Sequence, residues 1–374
     1  MTGQRVVISG TGLVTPLGEG VGPYWSGLVG GRSALRTAVR FSSPEYAGEP
    51  VGEFPGSDPA EGSRKRHFAR LAAREALAAA RLPALPAGSL VILVSQARAP
   101  LPGRDGEPHA GQEEFFGPPD DLRWAGASVL HLSHACASAA FAVALARTAL
   151  RSGAVPAVLV VGSSVLNRYE YASMQVVRAV GRTAARPFDT GRAGISLGEG
   201  GGALLLEPAS AARSRGLAAD VSVAGACCRV AGDKPAASAA DLVTDCLRSA
   251  LADAGADRLD HVHAHATGTA QGDAAELRAI ETVAAELNAS AVPVSSHKGA
   301  IGHLLHVSAV PAIAAAALAL RTGTVPPTAG LDRPEPTERV RLPRRAEPLA
   351  GARLAAVNSF GFGGNNASVV LRLG

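Results

Sequence analysis

The stretch "HLSHACASAA", residues 131 to 140, sets one cysteine among small residues where a strand-like segment gives way to a helix-like one. Cysteine is rare in this chain: the only ones are at 136, 227, 228 and 246 of 374 residues. A cysteine just ahead of a helix lies beside free backbone N–H groups and the positive end of the helix dipole, which predicts a lowered thiol pKa. Small neighbours also permit the tight strand-to-helix turn on which a nucleophile is presented. A buried packing residue fits the same position, so Cys136 alone does not decide between chemistry and core.

The second half adds histidines. "HAHATGTAQGDAAEL" puts His265 at the end of a strand before a Gly/Thr turn, and "SSHKGAIGHLLH" puts His303 after Gly302 at the opening of an apolar helix. Such loop and helix-start positions suit a neutral imidazole held as a hydrogen-bond donor. Lysine occurs only at 65, 234 and 298 in a chain that otherwise uses arginine, so Lys298 points to a need for a compact ammonium. Two other readings of the histidines stay open. His261, His263 and His265 share one face of a strand, and His303 and His306 are three apart, spacings a metal could use. No carboxylate or cysteine stands at the usual spacing beside either group, and no metal is expected. Structural histidines satisfied by neighbours are the third possibility.

These residues need elements to hold them. "RVVISGTGLV" predicts a strand, residues 66 to 82 a helix, "SLVILVSQ" a strand, and residues 97 to 125 a long irregular excursion. "ASVLHLS", the helix ending at Gly153 and "AVLVVGSS" follow. After about residue 215 the alternation repeats: "AADVSVAGACCRV", a helix over 236 to 255, "HVHAHATGT", a helix from Asp273, "AVPVSSH", an apolar helix, and "LAAVNSFG". Strands alternating with helices imply a layered α/β fold with mostly parallel sheets.

Composition narrows the function classes. The chain is 47% hydrophobic and 18% charged, as a globular protein is, with a formal charge of +4 and 4% aromatics. That charge is too mild, and stacking residues too few, for a nucleic-acid partner. The opening stretch has no signal-peptide core. The longest apolar run, 307 to 320, is short for a bilayer and contains Pro311, so no membrane association is expected. Sparse cysteines without CxxC spacing predict free thiols in a cytoplasmic protein.

Six stretches in order resemble the elongating β-ketoacyl-acyl carrier protein synthases, ketosynthases of the thiolase superfamily: "RVVISGTGLVTPLG", "HACASA", "ARPFDTGRAGISLGEGGGALLLE", "HATGTAQGDAAE", "SSHKGAIGHLL" and "AVNSFGFGGNNASVVL". The resemblance implies a thiolase-like α/β fold: two similar βαβαβ halves, residues 1–210 with the cysteine and 211–374 with both histidines, in an αβαβα layering. It implies that Cys136 takes an acyl group while His265 and His303 hold the carbonyl of a malonyl-type thioester through decarboxylative condensation. Lys298, Asp273 and Glu276 would support the histidines. The backbone of Cys136 and Phe362 would form an oxyanion hole, with Phe362 and Phe360 gating the acyl pocket. No cofactor is implied. The implied partner is an acyl carrier protein bearing a phosphopantetheine thioester, with assembly as a homodimer or a heterodimer with a related subunit. Fatty acid or polyketide-type metabolism is the implied setting. A cysteine-dependent acyltransferase and a non-catalytic subunit similar to chain-length factors are the alternatives.

Departures from the family pattern are Ala139, Ala266 and Gly299, the replacement of "GAAG" by His306, Val307 and Ser308, and a shortened stretch before Cys136. The bulk at His306 is expected to crowd the site.

Overall fold

A computed structural model of the chain describes residues 4–57, 63–95, 126–231 and 239–374. The first half contributes strand β1 (Val6–Thr15), helices α1 (Val21–Val29) and α2 (Arg64–Ala79), and strands β2 (Leu90–Val94) and β3 (Ser128–Leu132). It continues with α3 (Ser138–Arg151), β4 (Val158–Ser164), α4 (Arg168–Val176) and β5 (Gly200–Pro208). The second half supplies β6 (Val221–Val230), α5 (Ala240–Asp253), β7 (His261–His263), α6 (Ala270–Glu286) and β8 (Val292–Ser295). The short α7 (Lys298–Ile301), α8 (Ala309–Thr322), β9 (Leu354–Gly361) and β10 (Asn365–Leu373) complete it. The irregular excursion expected at 97 to 125 lies outside the described residues.

The two halves use one strand order. In the first it is β1-β5-β4-β2-β3, and in the second β6-β10-β9-β7-β8, with corresponding pairs sharing the same relative direction. The halves meet where Val7 of β1 pairs with Ser222 of β6. The sheets are mixed, which corrects the expectation of mostly parallel ones. Each half ends on a strand that returns antiparallel between its first and fourth strands, and β10 does so directly after the turn at 362–364. A tight connection of that kind cannot yield a parallel neighbour.

Layering follows from which faces are apolar. Helix α2 covers the outer face of β1, β5 and β4, burying Ala69, Ala72, Ala73 and Ala76. Helices α5 and α6 cover the outer face of the second sheet. Between the sheets lie α3 and α8, both rich in alanine, and their small side chains allow two helices and two sheets to share one core. Helix, sheet, helix, sheet, helix is the expected arrangement. The apolar segment Leu305–Thr322 reaches 18 residues, longer than the run seen in the sequence, yet 83% of it is buried inside the fold. It is a core segment.

Two local expectations change. Helix α6 begins at Ala270, not Asp273, so Asp273 stands in its first turn. His303 does not open the apolar helix. It follows the end of α7 at Gly302, forms a bridge with Leu197, and precedes a 3-10 turn at Leu305–Val307 before α8 starts.

Candidate active site

Cys136 sits in the turn between β3 and α3, two residues before the helix begins. Ser138 ties the turn together. Its hydroxyl accepts from His134 N at 2.8 Å and donates to Ala135 O at 2.6 Å, holding Ala135 at φ 48°. A non-glycine residue at positive φ is uncommon, and one beside a candidate nucleophile marks an enforced turn. Strand β9 packs against this turn: Ser359 Oγ donates to Cys136 O at 3.1 Å, and a methyl group at Gly361 would come within 2.8 Å of Cys136 N. Apolar residues of the same cluster include Tyr171 and Met174 of α4, with Ile195, Leu197 and Leu305. Burial pushes the Cys136 thiol up to about 11, opposed by the positive charge of Lys298. The expected lowering is therefore corrected: desolvation of the thiolate outweighs the favourable charge and backbone contacts.

His265 and His303 are brought together, their rings 5.4 Å apart and nearly perpendicular. Phe360 is buried at 5.3 Å from the His265 ring, so β9 touches both the nucleophile and the first histidine. Both imidazoles are held well below their ordinary pKa, first by burial and then by Lys298. They are neutral at physiological pH, each with one ring N–H to donate.

Three charged residues hold the His265 loop from beneath. Glu276 accepts from His265 N at 2.8 Å, Ala266 N at 2.7 Å and Asn358 Nδ2 at 3.1 Å. Lys298 Nζ donates to His265 O. Asp273 accepts from Thr267 N, Gly268 N and Phe188 N. Burial raises the pKa of both carboxyls and lowers that of Lys298, and the opposite charges of Glu276 and Lys298 stabilise each other. These residues fix backbone geometry as much as they set the local field.

The remaining histidines find neighbours. His263 Nε2 lies 2.9 Å from His297 Nδ1 in a stacked pair, and His261 Nε2 lies 3.2 Å from Ser295 Oγ. Among the described residues no group of three or more His, Cys, Asp or Glu side chains is placed to hold a metal. His306 donates from Nε2 to Ser163 O at 2.8 Å, so its bulk is taken up against β4. Gly299 is required where it stands, since a Cβ there would meet Ala329 O at 2.0 Å. Phe362 sits 36% exposed in the turn after β9, with Gly363 and Gly364 at positive φ beside it. Supporting residues not singled out in the sequence are Asn358 and Ser359, two polar side chains inside a buried strand; Ser308, noted there only as a departure from the family pattern, places its Oγ 2.8 Å from His303 Nδ1.

A cysteine at a forced helix-start turn, two neutral imidazoles and a layered fold of duplicated strand order define a condensing enzyme of the thiolase-like class. The chain belongs to the β-ketoacyl synthase family: residues 122–212 match the family's N-terminal domain and residues 222–332 its C-terminal domain. It is 31% identical to the tetracenomycin polyketide synthase ketoacyl synthase alpha subunit of Streptomyces glaucescens, over 98% of this chain and 97% of that one. It is 29% identical to 3-oxoacyl-[acyl-carrier-protein] synthase 2 of Rhizobium meliloti (strain 1021), over 99% of both chains. That alignment spans 421 positions against 374 residues here, so the relative carries stretches that this chain lacks. Among solved structures, the ishigamide ketosynthase/chain length factor superposes with a TM-score of 0.87 at 28% identity, covering all of both chains.

Proposed function

We propose that the chain condenses an acyl group held on Cys136 with a malonyl-type thioester, both delivered by an acyl carrier protein bearing a phosphopantetheine thioester. The observation that carries this reading is the pair of neutral imidazoles, His303 buried and His265 half-buried, set 5.4 Å apart beside the nucleophile turn. Simple acyl transfer needs a nucleophile and an oxyanion site; a second imidazole donor has a use when an enolate must be stabilised. In the first step the Cys136 sulfur attacks the acyl thioester, and its proton leaves with the carrier thiol. Backbone N–H groups of Cys136 and Phe362 would receive the tetrahedral oxyanion, and Phe362, flanked by glycines, would swing to admit the chain while Phe360 backs His265. In the second step His265 and His303 donate to the malonyl thioester carbonyl as carbon dioxide departs. The resulting enolate attacks the acyl carbonyl, forms the carbon–carbon bond and expels the Cys136 thiolate.

The repeated strand order supports dividing the chain into halves 1–210 and 211–374, one for the cysteine and one for the histidines. The named relatives support a cytoplasmic enzyme of fatty acid or polyketide-type metabolism, and the ketosynthase/chain length factor likeness supports a dimer with itself or a related subunit.

The test is intact-protein mass spectrometry with acyl- and malonyl-carrier proteins, following carbon dioxide release alongside. Cys136→Ala is expected to abolish acyl labelling, while changes at Cys227, Cys228 or Cys246 leave it. His303→Ala is expected to slow decarboxylation on the order of a hundredfold while Cys136 still acylates. Transfer of the acyl group from Cys136 to an alcohol or amine, with no carbon dioxide from any malonyl donor, would instead establish an acyltransferase.

A further inference from the structure

His303 is fixed at its backbone: its N–H donates to Ser196 O at 2.8 Å, and its carbonyl accepts from Gly198 N at 3.1 Å. Those bonds leave the imidazole free to turn about χ2 and free to carry its single proton on either nitrogen. One side chain removes both freedoms. Ser308 Oγ lies 2.8 Å from His303 Nδ1, and both residues are buried. Ser308 is also the N-cap of α8, where a serine ordinarily accepts from the first helical turn, yet it makes no side-chain cap bond. Its hydroxyl is spent on the histidine.

We propose that Ser308 is a positioning residue for His303, donating its hydroxyl proton to Nδ1 so that the imidazole keeps its own proton on Nε2. The direction of donation follows from counting hydrogens. If Nδ1–H donated to Ser308, the serine hydrogen would need a second acceptor, and among the described hydrogen bonds Ser308 Oγ has none. Donation from serine leaves no hydrogen stranded in a buried site, where an unmade bond is expensive. It also turns Nε2 into a donor, which is what stabilising a thioester enolate requires. In the last respect the proposal rests on the condensation reading; the hydrogen bond itself does not.

Nitrogen-15 spectra of histidine-labelled protein at neutral pH, with His303 assigned from the His303→Asn variant, are expected to show an unprotonated Nδ1 and a protonated Nε2. In Ser308→Ala the two tautomers should mix. Decarboxylation by the acylated enzyme should then fall on the order of tenfold in kcat, the lower end of what losing a histidine's outer partner costs at metal sites. KM for the malonyl donor and acylation of Cys136 should hold, and Ser308→Thr, which keeps the hydroxyl, should restore both rate and spectrum. A proton on Nδ1 in the parent protein overturns the proposal. So does a Ser308→Ala variant that matches the parent in tautomer and rate, or a Ser308→Thr variant as slow as Ser308→Ala. A parent enzyme that releases no carbon dioxide defeats the condensation reading, and the spectra still decide the role of Ser308.

Discussion

Cys136 shows how far a residue's position can mislead about its chemistry. A helix start favours the thiolate, but the side chain is only 8% exposed, and burial moves its pKa to about 11. At neutral pH the group is a thiol, so its proton must leave during acylation instead of beforehand. The rate of alkylation by a small neutral reagent, followed at Cys136 by mass spectrometry, is expected to keep rising through pH 9, the ordinary thiol value, without levelling. Lys298 pulls the value down, so Lys298→Met should shift the profile to still higher pH. A plateau near neutrality in the parent protein would show that the turn and Lys298 outweigh burial after all. Residue types pointed to the candidate residues that the fold brings together, because cysteine and lysine are scarce here and each stands in a distinctive neighbourhood. They could not carry the balance of burial against charge, which depends on Tyr171, Ile195, Leu197 and Leu305, all distant in sequence.

At the scale of elements, long segments with a clear period were legible: α2, α3 and α5 bury one alanine- and leucine-rich face each, β2 is a continuous apolar run and β4 opens on one. Less legible was the break ahead of the central helix, because the apolar pattern runs through it without interruption. Gly302 makes that break. It stands at φ 76° and ψ −177°, a conformation essentially confined to glycine, and a Cβ there would lie 2.7 Å from Leu197 O. The residue ends α7, which carries Lys298, and delivers His303 to its bridge with Leu197. Gly302→Ala should therefore lower stability by about 1–3 kcal/mol. It should also reduce decarboxylation by more than it reduces acylation of Cys136, because the strain falls on the histidine side of the site. Urea unfolding and the two partial reactions measured on one preparation check this; equal loss in both reactions would place the damage elsewhere.

Across the whole molecule the same five-layer packing that dries the site also sets how the protein responds to acid. His261, His263, His297, His303 and His306 are buried and His265 is half-buried, and all six have pKa values depressed from 6.5, with desolvation the first cause. In the unfolded chain these groups take up protons as pH falls through 6.5, while in the folded chain they do so only at lower pH. The unfolded state then binds more protons, so stability present above 6.5 is lost as pH drops below it. Each such histidine contributes a loss of about 1 kcal/mol per pH unit in that window. Glu276, raised to about 7, and Asp273, also raised, work the other way, because their folded forms hold protons that the unfolded forms release. The depressed histidines outnumber the two raised carboxyls, so the net effect is a loss of stability as pH falls below 6.5. Urea midpoints measured between about pH 7.5 and about pH 5.5 are expected to fall steeply, with net proton uptake on unfolding at the acid end. His297→Gln, which removes one titrating member of the His263 pair, should flatten the slope by about one proton. Midpoints that stay level across this range would mean that the histidines charge within the native fold, and the neutral imidazole pair on which condensation depends would go with them.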